Sequence, residues 1–154
     1  MTELPLLQEL LPHDVPMVLI DELVDVGGKH VHCRVTPTAD NLFFDCVARA
    51  VPGYIGIEFM AQSVAAWAGY HARMRGETPS VGFLLGCRRY KAEVCSFREN
   101  ELLDIHAELV MENNGMSIFS CQIEHEGKAI AASQISTYAP TNNLFDNKLN
   151  KDDV

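Results

Sequence analysis

An α+β fold, with one long helix held against a curved antiparallel sheet, is what this sequence predicts. Three observations carry that expectation. The segment "YIGIEFMAQSVAAWAGYHARMRGE", beginning at Tyr54, is apolar nearly all round over its first 17 residues. A helix of that kind is buried on most of its circumference. The segments before and after it alternate apolar and polar residues, the period of half-buried strands. The later ones form a meander with "NNG" at 113–115, a strong hairpin turn. A single helix that is apolar all round needs a sheet that curls about it.

The elements follow in order. "LLQELLP" is a short helix closed by Pro12. "MVLIDELVDVG" reads as a strand that ends at the Gly27-Gly28 hairpin signal. "KHVHCRVT" places Val31, Cys33 and Val35 on one face and His30, His32 and Arg34 on the other. "PTADNLFFDCVARAVPG" is a loop. Pro52-Gly53 introduces the helix, and Gly76 with Pro79 closes it. "SVGFLLGCRRYKAEVCSF" is a long strand with a bend at Gly86. "ELLDIHAELVME" turns Leu103, Ile105, Ala107 and Leu109 inward, and two further strands meet at "HEGK". Residues 1–140 make a single domain, and residues 141–154 are a polar tail that frays.

The chain of 154 residues is a good length for one core, and 47% hydrophobic with 21% charged residues suits a globular protein. No run of 18 apolar residues provides a membrane span. The acidic start lacks the basic region of a signal peptide, which predicts a cytoplasmic protein. A net charge of -9 disfavours nucleic acid and anionic surfaces. "HARMR" at 71–75 and "CRRYK" at 87–91 are the compact basic stretches, and each reads first as solvated surface. Cys33, Cys46, Cys87, Cys95 and Cys121 are scattered, odd in number and form no CxxC pair. They read as buried free thiols, not as a disulfide framework or a zinc site. No HxxxH or Cys-His cluster suggests a metal.

Glu58 stands out because it interrupts the apolar run "AVPGYIGIEFMAQ". Its neighbours Ile57, Phe59, Met60 and Ala61 imply desolvation, which is costly for a carboxylate that is neither paired nor working. Gln62, four residues on, shares its helix face and can hydrogen-bond it. Gly53 lets the backbone come close just where the first helical N–H groups lack internal partners. A structural glutamate and an active-site carboxylate both fit these residues.

Three motifs narrow the choice. "LPHDVPMVLIDELVDV", "NLFFD" and "PGYIGIEFMAQ" resemble segments of the 3-hydroxyacyl-[acyl-carrier-protein] dehydratases, which have the hotdog fold. "GIEFMAQSVAAWAG" with "GFLLGCRRY" is similar to the dehydratase-like group of aryl polyene gene clusters. The resemblance implies that Glu58 holds the catalytic carboxylate position and that a backbone N–H at Gly53 or Tyr54 binds the thioester carbonyl. It implies an acyl-carrier-protein partner, a homodimer with the site between subunits, and no cofactor or metal. Docking of the acidic carrier would fall to Arg88, Arg89 and Lys91, with Arg49.

One departure matters. The family has a catalytic histidine between N-x-F-F and PG, and this sequence reads "NLFFDCVARAVPG". Alignment on "FF" puts Val47 at that position, and alignment on "PG" puts Phe44 there. Asp45, Cys46 and Arg49 occupy the same loop, and His13 in "LPHDVP" is a weaker polar candidate. Three functions follow: a dehydratase of 3-hydroxyacyl thioesters, a non-catalytic hotdog subunit that holds such chains, and a hotdog thioesterase. "MAQ" after Glu58 favours the dehydratase branch over the thioesterase.

Overall fold

The computed structural model describes residues 4–11, 17–77 and 83–138. The tail 141–154, His13 and Pro12 lie outside the described residues. A short helix α1 (Leu7–Leu10) precedes strands β1 (Glu22–Val26) and β2 (His30–Val35). Strand β3 (Ala50–Pro52) and a 3-10 turn (Gly53–Ile55) lead into helix α2 (Gly56–Met74). Strands β4 (Phe83–Ala92), β5 (Ser96–Arg98), β6 (Leu103–Asn113), β7 (Met116–His125) and β8 (Lys128–Tyr138) complete the chain.

Six strands form one sheet in the order β1-β2-β6-β7-β8-β4, antiparallel throughout. The two hairpins of the meander are where the sequence places them. Asn114 and Gly115 (φ 51° and 85°) and Glu126 and Gly127 (φ 52° and 79°) all sit in the left-handed region. That is the geometry that matches the twist of the flanking strands. Leu103, Ile105 and Ala107 point inward and are buried, while Leu109 is only partly covered.

Helix α2 lies on the inner face of this sheet. Phe59, Met60 and Val64 join Val31, Cys33, Ile105, Phe119 and Ile123 in one buried cluster. Each large side chain fully buried there contributes about 1.5–3 kcal/mol. Phe59 meets Phe97 of β5 at 5.7 Å between ring centroids, and Trp67 meets Phe119 edge-on at 5.2 Å. The Trp67 Nε1 and His71 Nε2 groups both donate to the Gly27 carbonyl, at 3.1 and 2.8 Å. They fasten the helix to the β1–β2 turn. On the other side, a Cβ at Gly69 would collide with the Leu10 carbonyl, so glycine there lets the α1 backbone cross the helix.

Two local readings are corrected. The segment expected to be a strand from Met17 becomes one only at Glu22, because the backbone of Met17 and Leu19 is claimed by the side chain of Gln62. The segment 37–53, expected to be loop, ends in β3, which pairs with β5 as a second, two-stranded sheet. The bend expected at Gly86 coincides with a register shift between Leu84 and Gly86.

Candidate functional site

The start of α2 is held by backbone and by one phenol. The Gly53 N–H donates to the Cys95 carbonyl at 2.9 Å. A Cβ at this position would lie 2.9 Å from both the Cys95 and Val94 carbonyl oxygens, so the close approach requires glycine. The Tyr90 hydroxyl donates to the Gly53 carbonyl at 2.5 Å. Of the two amides the resemblance offers to a thioester, that of Gly53 is therefore already engaged. The Tyr54 amide is in the first helical turn, where N–H groups have no partner inside the helix, and Tyr54 itself is exposed.

Glu58 stands one turn further on. Gln62 donates from Nε2 to Glu58 Oε1 at 3.2 Å and to the Met17 carbonyl at 2.7 Å. Its Oε1 accepts the Leu19 N–H at 2.8 Å. Gln62 is wholly buried, whereas Glu58 is partly exposed. The desolvation expected from its neighbours in sequence is thus incomplete within one chain. Ile57, Glu58, Ala61 and Ala65 on α2, with Tyr54 of the preceding 3-10 turn, form a face that the chain's own sheet leaves partly uncovered.

The loop that lacks a histidine is a tight turn. Asp45 and Ala50 pair through two backbone hydrogen bonds, of 2.8 and 3.3 Å. The Asp45 carboxylate accepts the N–H groups of Val47 at 2.8 Å and Ala48 at 3.1 Å. These two bonds, that from Ala48 first, hold its pKa below the usual 3.8. Arg49 takes a left-handed φ of 52° and grips Glu99 with two nitrogens, at 2.7 and 2.6 Å. Val47 is 95% exposed at the tip and lines nothing in its own chain. Cys46 beside it is exposed, and Phe44 lies under the Arg49 guanidinium.

Every described histidine is engaged elsewhere. His30 meets Asp25, His32 meets Asp104, and His106 meets Glu124 on the outer face of the sheet. His71 bonds the Gly27 carbonyl, and His125 is beside Glu126 at a hairpin end. A groove of about 490 Å³ runs across that outer face, between Lys29, His30, His106 and Glu124. The sheet separates it from Glu58, and it is open and polar, unlike a site for an acyl chain.

Among the described residues, no group of His, Cys, Asp or Glu is assembled to hold a metal. Cys33 and Cys121 are buried, and burial pushes their thiols up to about 11 and about 12. Cys46 and Cys95 are exposed and Cys87 is intermediate, which corrects the expectation of five buried thiols. Arg88, Arg89 and Lys91 are exposed on β4. In the other basic stretch Arg73 and Arg75 pair with Glu9 and Glu77. No helix among the described residues is long and apolar enough to cross a membrane. Sequence reasoning missed Tyr90, whose contact with Gly53 spans 37 residues and has no local signature.

Comparison with known proteins adds family evidence. The family described as ApeP-like (ApeP dehydratase) matches residues 5–148. The 3-hydroxyacyl-[acyl-carrier-protein] dehydratase FabZ of Pseudothermotoga lettingae is 28% identical over 130 residues, 84% of this chain and 90% of that protein. A chain of the dehydratase heterocomplex ApeI:P from Xenorhabdus doucetiae is 31% identical and superposes with a TM-score of 0.84. That match covers 96% of this chain and 99% of the other. A protein from Streptococcus pneumoniae described as a hypothetical thioesterase shares the fold at 11% identity, with a TM-score of 0.60 over 76% of this chain and 83% of that one.

Proposed function

Because the chain belongs to the ApeP-like dehydratase family and has the hotdog fold, we propose that it dehydrates 3-hydroxyacyl chains on an acyl carrier protein as one half of a two-subunit site. The class is a dehydratase-like protein of fatty-acid or polyene synthesis. The reaction removes a C2 proton and the C3 hydroxyl and leaves a 2-enoyl thioester and water. No electrons change hands, so acid, base and oxyanion donors suffice. Such a substrate is cytoplasmic in a bacterial cell, and the protein is assigned to that compartment with it.

The observation that carries this reading is the pairing of Glu58 with the helix start. A carboxylate held by a buried amide stands one turn beyond the Tyr54 N–H. We assign the thioester oxygen to the Tyr54 N–H, where one such donor is worth about 3 kcal/mol as enolate charge develops. Glu58 is assigned the proton transfer at C2 or at the departing hydroxyl. Gln62 orients it. Val47, exposed at the loop tip, is assigned to contact with the second subunit. Arg88, Arg89 and Lys91 receive the acidic carrier.

The second subunit follows from the sequence of the loop. In a homodimer both loops would read "DCVARA", and neither would bring a histidine. A distinct hotdog subunit that keeps the family histidine would bring one, and the similar Xenorhabdus doucetiae protein is described as part of a dehydratase heterocomplex. The uncovered face of α2 is the surface for that neighbour. The test is water loss from 3-hydroxyacyl carrier protein, measured with this chain alone and with a companion dehydratase from the same genome. Glu58→Gln is run beside each. A loss of about 10²–10⁴ in rate with Glu58→Gln supports the assignment. Equal rates for Glu58→Gln and wild type in the active assembly sink it and leave a non-catalytic acyl-holding subunit.

A further inference from the structure

The Gly53 carbonyl and the Tyr54 N–H are two ends of one peptide unit. In a planar trans peptide they point in opposite directions. Whatever fixes the carbonyl therefore aims the N–H. That carbonyl accepts the Gly56 N–H of the 3-10 turn, and Tyr90 reaches up from β4 and adds a second donor, its hydroxyl, at 2.5 Å. The Gly53 N–H is fixed in turn by the Cys95 carbonyl, at 2.9 Å. The backbone is thus pinned on both sides of Gly53 Cα, and one glycine, with its wide conformational freedom, is held in one orientation. We propose that Tyr90 is a positioning residue that aims the Tyr54 N–H at the thioester carbonyl of the acyl substrate. This inference rests on the assignment of the thioester oxygen to that amide.

Three further features agree with it. The register of β4 shifts between Arg88 and Lys91, and Arg89 adopts a left-handed φ of 58°. Strict alternation after the inward Cys87 would turn residue 89 in and residue 90 out. The bulge puts Arg88 and Arg89 outside together and returns Tyr90 to the core side. Bulges beside active sites re-aim side chains in this way. Gly56 makes room for the phenol: a Cβ there would collide with the Tyr90 hydroxyl and lie 3.1 Å from atoms of Phe97 and Ile123. Gly56 is the first residue of α2, and the seat of the hydroxyl accounts for a glycine there. Burial also pushes the Tyr90 phenol up to about 12, so it stays a proton donor across the working range. A hydroxyl bonded to the carbonyl polarises the peptide and strengthens the N–H at its far end.

The experiment uses octanoyl-pantetheine labelled with ¹³C at the thioester carbonyl, which has no hydroxyl to eliminate. Infrared difference spectra of the full chain, assembled with the companion dehydratase subunit, report the carbonyl stretch of this probe. Wild type is expected to lower the frequency relative to the probe in water. Tyr90→Phe is expected to bind the probe within about threefold of wild type and to lose most of that lowering. In turnover it is expected to reduce kcat about tenfold with little change in KM, since the donor acts on the developing charge. A 3-fluorotyrosine placed at position 90 keeps the bond and is a stronger donor; it should lower the frequency further. This second variant decides the matter if Tyr90→Phe does not fold. Wild-type protein that leaves the frequency unchanged, or binds no probe, overturns the thioester assignment and this inference with it. A lowered frequency that is identical in wild type and the position-90 variants overturns the role of Tyr90 alone.

Discussion

Gln62 accepts the backbone N–H of Leu19 at 2.8 Å, across 43 residues of chain, with the glutamine wholly buried. The same side chain holds the Met17 carbonyl and Glu58. Gln62→Met keeps the volume and removes all three bonds. A buried backbone group left without a partner costs about 1–3 kcal/mol, and the Leu19 N–H is one such group, whereas the carbonyl of exposed Met17 can turn to water. The urea midpoint should fall accordingly, and the fall should be absent in a variant of an exposed α2 residue such as Ala68→Ser.

The Gly53 contact makes a sharper steric prediction. Gly53→Ala drives a methyl against the Val94 and Cys95 carbonyls, each 2.9 Å away. Overpacking of this kind costs about 1–3 kcal/mol, read as a lower Tm. Gly86→Ala is the matched control, because nothing lies within 4 Å of a Cβ there.

Asp45 gives the loop a dependence on acid. Its pKa lies below the usual 3.8, because the Ala48 and Val47 amides bond the charged form. A depressed carboxyl stabilises the fold above its unfolded pKa, and that contribution disappears as pH falls through the folded value. The Val47 and Ala48 amide resonances should therefore titrate with a midpoint below 3.8 and be flat above it. In Asp45→Asn the transition should vanish.

Asp104 behaves similarly on the outer face. Burial by itself raises its pKa, but the hydrogen bonds from Arg34 and His32 outweigh burial, and the net shift is downward. The stabilisation is therefore complete above the unfolded value and is lost on acidification through the folded one. The groups are partly exposed, with Asp104 at 22% and Arg34 at 37%. Solvent screening limits the effect of Asp104→Asn to about 1 kcal/mol at neutral pH. Urea midpoints at neutral and acid pH should converge in the variant more than in wild type.

The proposed docking strip on β4 predicts a charge effect. Arg88→Glu with Arg89→Glu should weaken binding of an acidic carrier by about tenfold at low ionic strength, with a smaller effect in high salt. Surface plasmon resonance at two salt concentrations measures it, and unchanged affinity at low salt refutes the strip.

The hairpins were legible because Asn114-Gly115 and Glu126-Gly127 carry their geometry in two adjacent residues. Helix α2 was legible because its burial is written in a continuous apolar run. Glu58 with Gln62 was legible for a similar reason, since four residues of helix fix their proximity. The remainder depends on contacts between distant segments. Strand β3 is three residues long and exists through its pairing with Ser96–Arg98. The engagement of the Gly53 amide by Cys95, and of its carbonyl by Tyr90, joins segments 42 and 37 residues apart (95 − 53 and 90 − 53). No periodicity reports such contacts. The turn at Asp45 lay between: aspartate is a known turn former, but a loop assignment leaves open that its carboxylate closes the turn on Val47 and Ala48.

Strand β4 ends the order of the six-stranded sheet, ten residues long, with two shifts of register. A long border strand with a regular backbone is a template on which other chains aggregate. The irregular backbone and three exposed cations of β4 make it a poor template. Besides the carrier docking proposed for them, Arg88 and Arg89 are thus expected to guard this border, and a neutral replacement would remove both effects together. Alanines at these positions are expected to lower solubility, which a light-scattering assay would detect as particles absent from wild type. Glutamates keep the border charged, so the charge-reversed protein can be compared with wild type as a dispersed species.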